Sequence, residues 1–97
     1  MGIKAPEALE VTFDELPHYL RVNHSVYVEV GGKLYYLTDA NDIYWRAQDT
    51  DVFNEKGHYV DCSLLGPTVA EFMDLPFADG KSISQFFPEA VFYASLK

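Results

Sequence analysis

The sequence predicts an α+β domain: an antiparallel β-meander of three to four strands packed with short helices. Two β-rich runs, SVYVEV and KLYYLTD, are joined only by Gly31-Gly32, the link that a primed hairpin turn requires because both of its central residues take positive φ. A third β-rich run, IYWRAQD, follows the turn-forming stretch DAND, whose Asp and Asn side chains stabilise turns by bonding nearby backbone. Helical signals lie outside this block, in TFDELPHYLRV before it and in PTVAEFMDL and SISQFF after it.

Taken in order, residues 13–21 form the first helix. Thr12 caps it, Glu15 completes a capping box, and Leu16, Tyr19 and Leu20 share one face. Pro17 is tolerated only because it falls near the first turn. Strands follow at about 26–30, 33–38, 43–48 and 58–62, the last after the polar loop DTDVFNEKG. Helices are expected at 68–74, with Val69, Phe72 and Met73 inward, and at 82–87 after Ser82. The segment 89–96 is helical by length and alanine content but strand-like by Val91, Phe92 and Tyr93; it is read here as helix.

A chain of 97 residues closes about one core and buries roughly 60–65% of its unfolded surface, so a single domain is expected. The 48% hydrophobic and 23% charged composition is that of a globular protein rather than a disordered one. Seven Tyr, seven Phe and Trp45 give that core large side chains to bury. Cys62 is the one cysteine, which excludes an internal disulfide and favours a reducing, cytoplasmic setting. No apolar run approaches the roughly 20 residues of a membrane span.

Fifteen acidic against seven basic residues leave a formal charge of −8. Such a balance repels phosphate backbones and anionic lipid, so neither nucleic acid nor membrane is an expected partner. Asp39, Asp42, Asp49, Asp51 and Glu55 crowd one stretch that contains only Arg46 as a base. An acidic patch of this kind either keeps the protein soluble or meets a basic protein partner.

The Gly31-Gly32 turn pairs Val28 with Tyr35 and Val26 with Leu37. A turn centred on Ala40-Asn41 would pair Leu37 with Tyr44 and Tyr36 with Trp45. One face then carries Val26, Val28, Val30, Tyr35, Leu37 and Tyr44, and the other carries Tyr27, Glu29, Leu34, Tyr36, Ile43, Trp45 and Ala47. On the second face Tyr27, Tyr36 and Trp45 fall in a row across three strands. Three readings compete for that row: core beneath a C-terminal third rich in Phe, exposed recognition surface, or homodimer seam.

Chemistry is weakly signalled. His58 and Cys62 are four apart on a strand, roughly 13 Å by the rise per residue and too far for a thiolate–imidazole pair. His18, His24 and His58 show no metal-ligand spacing, and DTDVFNE lacks the glycine of a calcium loop. No catalytic residue, metal or cofactor is therefore assigned. The expected function is a non-catalytic protein-binding domain of the inhibitor, immunity or mimic kind, presenting Tyr27, Tyr36, Trp45, Asp39, Asp42, Asp49, Asp51 and Glu55 to a basic partner. The alternatives are a small-molecule-binding or enzymatic domain, with Tyr44, His58 and Cys62 walling a pocket between sheet and C-terminal helices, and a structural homodimer subunit.

Overall fold

The computed structural model describes residues 8–40 and 43–94. Helix α1, Leu16–Asn23, leads into β1 (Ser25–Val30), β2 (Lys33–Ala40), β3 (Tyr44–Phe53) and β4 (Tyr59–Asp61). Two short helices follow, α2 (Val69–Met73) and α3 (Ile83–Phe86), then a 3-10 turn over Phe87–Glu89 and a fifth strand, β5 (Val91–Tyr93). The sheet is antiparallel throughout, in the order β4-β3-β2-β1-β5. The α+β class and the meander agree with the sequence reading.

The Thr12–Glu15 exchange expected at the first helix is present, but α1 begins at Leu16 rather than at residue 13, with Glu15 at its N-cap, because Pro17 has no N–H to bond back to the carbonyl of residue 13. Thr12 N–H donates to Glu15 Oε1 at 3.0 Å and Glu15 N–H to Thr12 Oγ1 at 3.2 Å, the reciprocal exchange that satisfies two otherwise orphaned donors. It ends at His24, whose φ of 63° is left-handed and whose N–H donates to Leu20 O. Thr68 caps α2 by accepting from Glu71 N–H at 3.1 Å. Gly31 and Gly32 take φ of 61° and 77°, and the β1–β2 register is the one their turn dictates, with Val28 opposite Tyr35 and Val26 opposite Leu37.

The β2–β3 register departs from the expectation. Leu37 faces Ala47 rather than Tyr44, Tyr36 faces Gln48, and Asp39 faces Trp45. The connection spans positions 41–43 instead of the two residues 40–41, and the strand is displaced by an odd number of residues. An odd slip exchanges the faces of a strand: Trp45 and Ala47 turn inward and Tyr44 turns out. The exchange buries the largest side chain of the chain, which a two-residue turn would have left on the second face. Asp42 lies outside the described residues.

The segment read as helix at 89–96 is a further correction. Pro88 lies at the start of the 3-10 turn, the chain becomes extended at Ala90, and Val91, Phe92 and Tyr93 pair with Glu29, Val28 and Tyr27 of β1. Phe92, alternating inward, is 3% exposed; burial of one ring on the sheet outweighs the weak helical propensity of so short a segment.

All three helices pack on one face of the sheet. Leu16 and Leu20 of α1, Phe72 and Met73 of α2, and Ile83 and Phe86 of α3 bury against Val26, Val28, Tyr35, Leu37, Trp45 and Ala47. Rings carry much of this core: Trp45 lies 6.4 Å from Phe72, which lies 6.2 Å from Phe77, which meets Phe86 edge-on at 5.5 Å. The C-terminal third thus covers the same face as α1. Among the described residues no helix covers the opposite face.

Candidate functional site

The uncovered face is built by alternation. Every second residue of each strand points to it, and direct pairing aligns Tyr93 of β5 with Tyr27 of β1, Tyr27 with Tyr36 of β2, Tyr36 with Gln48 of β3, and Gln48 with Asp61 of β4. Tyr27 and Tyr36 have ring centroids 4.7 Å apart, Tyr36 and Tyr59 5.9 Å, and Tyr59 and Phe53 5.4 Å. A continuous line of four rings therefore crosses β1 to β4. These residues are half-buried by one another, apart from exposed Phe53.

Burial, with the Tyr59 phenol alongside and hydrogen-bonded to it, pushes the Tyr27 phenol up to about 12. The Tyr93 hydroxyl donates to Glu29 Oε1 at 3.3 Å, and desolvation followed by that carboxylate raises its pKa too. At the β4 end, Gln48 Nε2 donates to Asp61 Oδ1 at 3.0 Å, and Arg46 Nη1 reaches Asp61 Oδ2 at 3.4 Å. The buried Arg46 Nε has no hydrogen-bond partner among the described residues.

Of the residues assigned from sequence, Tyr27 and Tyr36 come together as expected. Trp45 does not join them: it is 8% exposed, in the core. Asp39 accepts from His24 Nδ1 at 2.6 Å. Asp49 lies on the helix-covered side, 2.7 Å from Lys33 Nζ, and the hydrogen bond from that ammonium holds its carboxyl below the usual range. Asp51 and Glu55 are exposed on the β3–β4 hairpin, where β3 bulges between Asp49, opposite Val60, and Phe53, opposite Tyr59. Glu29 was placed on this face from sequence but not assigned to the site; Tyr59, Phe53 and Tyr93 complete the face and were not placed on it from sequence. Their spacing fits strands, but which strands meet is a tertiary fact.

Tyr44, His58 and Cys62 do not wall one pocket. Tyr44 and His58 are exposed, and Cys62 packs against the core. Its thiol is pushed up to about 11, chiefly by burial, so it is neutral at pH 7 and a poor nucleophile. A depression of about 450 Å³ lies between the β1–β2 turn and the 78–81 turn, beside Lys33, Tyr35, Lys81 and Phe86. A more open groove of about 550 Å³ separates Leu9 and Val11 from Tyr19 and Val22. Neither pairs a nucleophile with a base, and among the described residues no three His, Cys, Asp or Glu side chains converge as a metal-binding group. No protein-family model matches this chain, and no curated protein or solved structure matches it significantly.

Proposed function

We propose that this chain is a non-catalytic protein-binding domain that meets a basic protein through the uncovered face of its sheet. The observation that supports the reading is the four-ring line from Tyr27 to Phe53 on a face the described helices leave open. Tyrosines supply contact area with little rotamer entropy to lose, which is why they recur as interface anchors. The net charge of −8 sets the sign of the partner, because complementary potential accelerates encounter and disfavours anionic competitors. The lone, inert Cys62 suits a reducing cytoplasm. The same charge argues against a homodimer seam, since two copies would repel at long range.

The test is capture by the tagged protein from its native host, followed by identification of the captured chain and titration against purified protein. A basic protein held in a salt-sensitive complex, and released by Tyr36→Ala, is the expected result. A complex indifferent to Tyr36→Ala and to Tyr59→Ala places the interface elsewhere and ends this reading. Light scattering that gives a dimer broken by the same substitutions favours self-association instead.

A further inference from the structure

The charges on the open face do not cancel. Asp61 is neutralised by Arg46 at 3.4 Å. Glu29, at the other end, is exposed and accepts only from the Tyr93 hydroxyl, with no Lys, Arg or His within ion-pairing distance among the described residues. Beside it on the same face are Tyr27, two residues earlier on β1, and Tyr93, the direct partner of Tyr27 on β5. One carboxylate is therefore pinned by a phenol at the edge of a sheet of tyrosine rings.

We infer that this corner of the face, Glu29 with Tyr27, Tyr36 and Tyr93, receives an arginine side chain of the basic partner. The inference rests on the protein-binding reading and names the chemistry of its contact. A cation near the flat side of a tyrosine is attracted by the ring quadrupole, and a carboxylate on the same side fixes its position. A guanidinium suits the place better than an ammonium. It is planar, so it lies over the packed Tyr27 and Tyr36 rings, and it is less strongly hydrated, so it loses less on leaving water. Its fork also matches a carboxylate, and Glu29 keeps Oε2 clear of the Tyr93 contact. The face already holds one guanidinium, that of Arg46 on Asp61; the pairing at Glu29 repeats that arrangement with the cation supplied from outside.

The probe is a hexa-arginine amide titrated into the full-length protein near physiological salt, read by NMR at the tyrosine ring and backbone resonances. The expected result is saturable movement of the Tyr27, Tyr36 and Tyr93 ring signals. Hexalysine should bind about fivefold more weakly, because it does not stack, and Glu29→Gln should weaken hexa-arginine by roughly tenfold, the scale of one charged hydrogen bond. Glu29 is exposed, so this variant keeps the fold, and its thermal melt verifies that. Tyr93→Phe, which only releases the carboxylate, should cost less than Glu29→Gln. The inference is overturned by ring signals that stay still while residues 51–55 move, by equal affinity for arginine and lysine, by Glu29→Gln binding like the parent protein, or by no saturable binding at all. Each of these leaves the Tyr36→Ala capture experiment to decide the protein-binding reading by itself.

Discussion

Asp39 and Trp45 face each other across β2 and β3, and this pairing turns the indole toward Phe72, ring centroids 6.4 Å apart. Trp45→Ala therefore removes a core side chain. Chemical denaturation should show a loss of roughly 3–5 kcal/mol, a large part of the stability of a small domain. In the parent protein the indole should resist quenching by iodide. Ready quenching, or a variant of unchanged stability, contradicts the register.

Gly66 and Gly32 separate packing from backbone strain. Gly66 exchanges hydrogen bonds with Trp45 at 2.7 and 2.8 Å, and a Cβ there would lie 3.0 Å from the Phe72 backbone. Gly66→Ala forces α2 around Phe72 to give way slightly and should cost about 1–3 kcal/mol. At Gly32 nothing lies within 4 Å, but φ is +77°, so Gly32→Ala should cost about 1 kcal/mol through strain alone. Melting curves of the two variants should rank them in that order.

Alkaline pH should destabilise the fold. The Tyr27 phenol is raised to about 12 and the Cys62 thiol to about 11, both above their unfolded values, so the folded state holds these protons more tightly. Their stabilisation is complete below the unfolded values, near 9 for the thiol and near 10 for the phenol, and is lost as pH rises through the folded ones. Urea denaturation between about pH 8 and 12 should show a steady fall, flattened in part by Tyr27→Phe or Cys62→Ala. Iodoacetamide should label Cys62 slowly at neutral pH.

The acidic residues should divide by role. Asp51→Asn with Glu55→Gln alters exposed charges only; folding should barely change, while association with a basic partner slows and loses salt dependence, as expected of long-range steering. Asp49→Asn breaks the pair with Lys33 and should act on stability instead. Because that carboxyl is depressed in the folded state, its stabilisation is present above the ordinary value near 3.8 and disappears as pH falls through the lower folded value. The difference between Asp49→Asn and the parent protein should therefore vanish in acid.

What was legible in the sequence is what local chemistry decides. Gly31-Gly32 set the β1–β2 register, and Thr12 with Glu15 formed the exchange that precedes α1, because turn and cap preferences act over a few residues. The β2–β3 connection was not legible in this way. Turns of two and three residues differ little in energy, and the choice follows from burying Trp45 and Ala47 against α2 and Gly66. The β5 strand shows the same limit. Val91–Tyr93 has too few residues to declare a state, and its partners Tyr27–Glu29 lie near the other end of the chain. The aromatic row was foreseen on the correct face, but its third member depends on those two pairings, which replace Trp45 by Tyr59 and add Tyr93.

The margins of the sheet carry a consequence for how this molecule can be approached. Beyond β5, Ala8 bridges Tyr93 and Leu9 N–H donates to Phe92 O at 2.7 Å, so main-chain groups on that side are already engaged. At the opposite margin β4 runs only from Tyr59 to Asp61, beside a bulge in β3, and Gly66 occupies the backbone of Trp45. An incoming strand finds three residues to zip against, a poor template for the backbone-to-backbone growth that drives domain swapping and fibril formation. Recognition at this protein is thereby directed away from the peptide groups, which every chain possesses, and toward side chains, which distinguish one chain from another.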